Sequence, residues 1–149
     1  TPLGTALAQV KPIGGRRKVA ALEAFARRHS RTPADFVAVG DSITDARMLS
    51  TVDLAGGISV AFNANEYALP EATIGLASTN ISDLWPALEA WHRGGRQAVA
   101  DLIAQSQGVE TAADRAIYHW LAAAESLEPH LLLHKRLRRL VRDSAAGLG

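Results

Sequence analysis

The sequence contains no cysteine, so disulfides and thiolate metal sites are excluded and nothing points to an oxidising compartment; the cytoplasm is the expected setting. It has no apolar stretch near the roughly 20 residues that span a bilayer, and no basic segment followed by an apolar one at its start. No membrane association is expected. The formal charge is only +1, which offers no global field for nucleic acid, and positive charge gathers instead in HKRLRRLVR, residues 134–142. A run of that kind reads first as the solvated face of an amphipathic helix, so no nucleic-acid partner is expected. Internal repeats and low-complexity tracts are also absent.

What is present is a chain of 149 residues, 48% hydrophobic, suited to one packed core with an appendage. Residues 1–15 carry two prolines and no sustained period and read as an extended lead-in. Helical spacing of Val19, Leu22, Phe25 and Ala26 predicts a helix from Arg16 to His29. The short apolar runs at 36–39, 57–62 and 73–78 predict strands buried on both faces, separated by helices over 44–52 and 66–71. Strands alternating with helices give an α/β fold, a partial Rossmann-like parallel sheet with flanking helices. From residue 81 the strands stop. Helices are predicted over 81–95, with Asn80 or Ser82 as cap, over 96–107, over 110–128, and after Pro129, where Leu133, Leu137, Leu140 and Val141 form an apolar stripe. This divides the chain into an α/β core, 1–95, and an all-α extension, 96–149.

Asp41 ends the strand at 36–39, where ligands of parallel sheets sit, and Asp45 follows four residues later. Two carboxylates about 5 Å apart at an effective dielectric near 20 repel by roughly 3 kcal/mol, so something must offset them. Two readings stand. A divalent cation held by oxygen ligands alone points to Mg²⁺. Alternatively, Ser42-x-x-Asp45 is a capping box, with the acids favoured by the helix dipole.

The ordered set GGRRKVAALEAF, FVAVGDSITDARML and GGISVAFNANEYALPEATIGLASTNISDLWPAL resembles the C-terminal half of the core domain of a haloacid dehalogenase (HAD) superfamily phosphohydrolase. It is similar in particular to the Cof-like and sucrose-phosphatase-like members, whose large cap is inserted before the conserved lysine. The match covers about residues 11 to 90. The resemblance implies that Asp41 and Asp45 hold Mg²⁺, and that Lys18 is the catalytic lysine that neutralises the nucleophile and the transferring phosphoryl group. It places Ser42, Asn63 and Asn65 beside the metal and substrate. Phosphoryl transfer needs mainly positioning and cationic stabilisation, which these residue types provide.

One departure is plain. The family's aspartate nucleophile lies in a D-x-D pair, and no two aspartates of this chain are two residues apart. That motif would precede Thr1. The expectation is therefore a Mg²⁺-dependent phosphatase acting on a small phosphorylated substrate, of which this chain carries the lysine and metal motifs and is inactive alone. The alternative is a catalytically silent scaffold associating through its helical tail or sheet edge. Without the family's nucleophile strand, FVAV is left with an unpaired edge. A second copy, a separate N-terminal half or the C-terminal helices are the expected covers. Trp85, Trp91 and Trp120 are expected to pack in the core or an interface, and His119, His130 and His134 to lie at the surface.

Overall fold

The protein is described by a computed structural model over residues 14–106, 116–121 and 124–147. The expected lead-in lies outside these residues, apart from Gly14 and Gly15. Helix α1, Gly15–Arg28, matches the predicted helical spacing and buries Ala26. A 3-10 turn at Pro33–Asp35 leads into strand β1, Val37–Gly40. A second 3-10 turn, Ile43–Asp45, runs into α2, Ala46–Ala55. Strand β2, Ile58–Phe62, and strand β3, Ile74–Ala77, follow, with a 3-10 turn at Leu69–Glu71 in place of the expected short helix.

A 3-10 turn at Ile81–Leu84 opens the segment expected to be helical over 81–95, and helix α3, Trp85–Ser106, carries the rest of it together with the helix expected over 96–107 as far as Ser106. It bends at Gly94 and Gly95, the latter at φ 67°, a left-handed conformation that glycine adopts without a Cβ clash. Asn80 is the cap, its side chain accepting from the Ser82 N–H. The chain then departs from the sequence reading. Ile117–Trp120, expected inside a helix over 110–128, is strand β4. Helix α4, Glu128–Gly147, closes the described chain.

The sheet runs β1-β2-β3-β4, with the first three strands parallel and β4 antiparallel to β3. The α/β class expected from the alternating elements is what forms. Its extension is not all helical: β4 completes the sheet and α4 packs on β3. Alternation along the strands divides the core. Ile58, Val60, Ile74 and Leu76 face α3 through Ala87, Ala90, Val99 and Ile103. Ala38 and Ala61 face α2 through Leu49 and Val52. Each fully buried Leu, Ile or Val contributes roughly 1.5–3 kcal/mol, so both layers are needed to hold strands of four or five residues.

Arg96 fastens α3 to the far end of the sheet. It donates to the carbonyls of Asp53 and Gly57 at 3.1 and 2.9 Å, pairs with Asp53 Oδ1 at 3.0 Å and lies 5.6 Å from the Trp120 ring centroid. Trp91 and Trp120 pack against the core, as expected, whereas Trp85 is 61% exposed and donates to Glu89. The histidines also differ from expectation: His119 and His134 are buried, at 7% and 0% exposure. His134 accepts the Ala64 N–H at 3.0 Å, which seats α4 on the sheet, while Leu140 of the expected apolar stripe is 48% exposed. β1 pairs only with β2 among the described residues, and α4 reaches its end rather than its edge, so the helical cover is not seen. No described helix is long and apolar enough to cross a membrane.

Candidate functional site

Two ion pairs meet at the carboxyl end of β1. Gly40 ends the strand, Asp41 follows, and the Ile43–Asp45 turn folds back over it, closed by the Ser42–Asp45 capping box. Asp45 Oδ2 accepts the N–H groups of Asp41 at 2.8 Å and Ser42 at 3.2 Å. This return is possible only because residue 40 is glycine. A Cβ there would overlap Asp45 Cβ and lie 2.7 Å from its Cγ. Lys18, in the first turns of α1, reaches across to form an ion pair with Asp45 Oδ1 and lies 3.3 Å from Thr44 Oγ1. An ammonium has three donors, so one remains for another ligand.

Asp45 is buried, at 6% exposure. Burial, the largest influence, pushes its pKa up, but the Lys18 hydrogen bond, the two backbone N–H groups and the Lys18 charge together hold it below the ordinary carboxylate value. Asp41 is half-exposed, and its Oδ2 lies 3.2 Å from Arg138 Nη1 of α4. The same guanidinium donates to the Asp41 carbonyl at 2.8 Å, and Asn65 N–H donates to that carbonyl at 3.0 Å. Two acids and two cations thus meet at the mouth with no net charge. The repulsion inferred from the spacing of Asp41 and Asp45 is offset by protein cations.

Of the six residues singled out in the sequence, Lys18, Asp41, Ser42 and Asp45 converge. Ser42 Oγ shares a hydrogen bond with Thr44 Oγ1 at 3.3 Å. Asn63 instead joins the ends of β2 and β3, its side chain donating to Ser78 O at 2.7 Å and accepting from Ser78 N at 3.0 Å. Asn65 accepts from the N–H groups of Tyr67 and Ala68 while its own N–H holds Asp41. Arg138 is an addition that the sequence reading does not contain. Its only sequence signal is the basic run, and its partner lies 97 residues away.

Mg²⁺ suits this donor set in part. It accepts one or two carboxylates and fills its octahedron with water and substrate phosphate. Asp41 pairs with Arg138 through Oδ2, and its Oδ1 takes no hydrogen bond from the described residues, which leaves that oxygen open to an ion. Asp45 would add a second oxygen only in competition with Lys18. Among the described residues no group of three or more His, Cys, Asp or Glu converges to hold a metal, so any further ligands come from water, substrate or another segment.

Fold and site together define an α/β protein with a charged mouth at the carboxyl end of a parallel strand. No protein-family model matches the chain, and no curated protein matches it. Among solved structures it is similar to the gene product AF1437 from Archaeoglobus fulgidus, with TM-score 0.73 and 23% identity over 95% of this chain. The match covers 42% of that protein, and at this identity the likeness concerns the fold alone.

Proposed function

We propose that this chain supplies the lysine and acidic elements of a Mg²⁺-dependent, HAD-type phosphatase that hydrolyses a small phosphate monoester. The observation that carries the reading is Lys18 held against Asp45 beneath Gly40, beside Asp41, at the carboxyl end of β1. Asp45 positions the ammonium, and its depressed pKa keeps it an anion through the neutral range. The third Lys18 donor then faces developing charge on a phosphoryl oxygen, an interaction that strengthens as charge spreads in the transition state. When bound, Mg²⁺ at Asp41 supplies further neutralisation of the phosphate oxygens. Asn65 N–H and Arg138 restrain the backbone and side chain of Asp41. The chain has no D-x-D pair, so under this reading the aspartyl nucleophile comes from a separate segment, and the chain alone is inactive.

The neutral mouth and the β1 edge, unpaired among the described residues, favour a second reading: a silent scaffold that associates through that edge. Hydrolysis of an aryl phosphate with Mg²⁺ separates the two. The first requires activity when a D-x-D-bearing N-terminal half is joined or added. The second requires none even when that half is bound.

A further inference from the structure

Helix α4 carries Lys135, Arg138, Arg139 and Arg142 at positions i, i+3, i+4 and i+7, which places four cations on one stripe. Like charges at that spacing repel, so a fold keeps them only with partners or where solvent screens them. Two have protein partners: Lys135 lies 3.1 Å from Glu66 Oε2, and Arg138 lies 3.2 Å from Asp41 Oδ2. Arg139 and Arg142 take part in no ion pair with the described residues. These four cations, with Asn65 and Asp143, line a pocket of about 270 Å³. Arg138 is both a wall of this pocket and the partner of Asp41, so the pocket adjoins the β1 mouth. Its volume lies below the roughly 300–1,000 Å³ usual for a whole small-molecule ligand, which suits one anionic group of a larger molecule.

We infer that this pocket is an oxyanion subsite that takes the second anionic group, phosphate or carboxylate, of a doubly anionic substrate whose scissile phosphate sits at the Lys18–Asp41 mouth. The placement of the scissile group rests on the phosphatase reading; the oxyanion site stands on the α4 cations and the pocket they line with Asn65. Guanidinium groups present paired donors that match phosphate and carboxylate oxygens, and Arg139 and Arg142 have theirs uncommitted to any described carboxylate. Asn65, which also holds the Asp41 carbonyl, ties the pocket wall to the mouth.

The test is a titration of the full chain with pyrophosphate and with succinate as probes, followed by calorimetry, for the wild type, an Arg139→Gln/Arg142→Gln variant and Lys18→Met. Saturable one-to-one binding of either probe by the wild type, weakened about tenfold or more in the double variant, supports the subsite, since charge-assisted hydrogen bonds are lost. Binding of both probes tells that the site accepts phosphate and carboxylate alike; binding of one names the source. Arg139 and Arg142 are exposed, and an unchanged urea midpoint checks that the double variant folds. Equal binding in wild type and double variant overturns the inference. So does binding to anionic-lipid vesicles that pyrophosphate fails to displace, which would make the stripe a membrane face. Retained binding in Lys18→Met alongside lost activity in the assembled enzyme supports both readings, whereas retained binding with no activity in any assembly supports the pocket and removes only the phosphatase.

Discussion

Replacing Lys18 by methionine probes the mouth with the least change of shape. The substitution leaves the Asp45 carboxylate buried, at 6% exposure, with only the N–H groups of Asp41 and Ser42. Removing one partner of a fully buried pair costs roughly 3–5 kcal/mol. Lys18 keeps 27% of its side chain exposed, and two hydrogen bonds to Asp45 survive, so the expected loss is about 2 kcal/mol at pH 7. In urea that is a midpoint about 1 M lower at unchanged slope. The pH dependence identifies the cause. In the wild type the carboxyl pKa is lower folded than unfolded, so its stabilisation is present above the unfolded value of 3.8 and is lost as pH falls through the folded one. In Lys18→Met the Lys18 hydrogen bond and charge no longer lower the carboxyl pKa, so the folded pKa rises relative to wild type. The variant then gains stability relative to wild type on acidification, and the deficit shrinks below about pH 4. Lys18→Met/Asp45→Asn should recover part of the loss, giving a coupling of roughly 0.5–3 kcal/mol. Urea curves for the two proteins within about 0.5 kcal/mol at pH 7, and parallel from pH 7 to 3, would refute the pairing argument.

Other consequences follow from the same structure. Gly40→Ala forces a Cβ to within 2.9 Å of Asp45 Oδ2, so chemical denaturation should register a loss of about 1–3 kcal/mol or more, together with loss of activity in the assembled enzyme. Burial chiefly, and the neighbouring imidazoles, lower the pKa of His119 to about 4 and of His134 to about 3. The unfolded chain therefore binds more protons below about pH 6.5, and stability should fall by roughly 1.4 kcal/mol per histidine per pH unit from there to about pH 4; His119→Leu should roughly halve that slope in thermal melts. Arg96→Ala removes the guanidinium that holds Asp53, Gly57 and Trp120 together, and should cost about 2–3 kcal/mol by urea titration with little effect at the mouth.

The parts of the fold that announce themselves in the sequence are those where local pattern and tertiary position agree. β1, β2 and β3 are short apolar runs bounded by turn residues; in β2 and β3 burial on both faces makes that pattern unbroken, whereas in β1, at the end of the sheet, Val37 and Val39 are only half-buried and the expected burial on both faces is not met. β4 is hidden because Ile117–Trp120 sits among alanines that favour helix. Its strand state comes from pairing with β3, anchored by Tyr118, which buries its ring and donates to the Asp83 carbonyl. The buried histidines are illegible for a related reason. His134 meets the sheet at Gly75, whose missing side chain leaves room for the ring; a Cβ there would lie 2.9 Å from its Nε2. The site divides in the same way. Gly40, Asp41, Ser42 and Asp45 lie in one stretch, and the capping geometry follows from their spacing. Arg138 depends on a packing angle of α4 that no local pattern encodes, yet it supplies half of the charge that offsets the two acids.

The most direct measurement is a crystal structure of the chain assembled with a D-x-D-bearing half, Mg²⁺ and orthovanadate, a mimic of the transferring phosphoryl group. The account predicts vanadate at the end of β1, with one oxygen about 3 Å from Lys18 Nζ and Mg²⁺ on the Asp41 carboxylate. Vanadate bound elsewhere, with Lys18 still engaged only by Asp45 and Thr44 and no ion at Asp41, would contradict it.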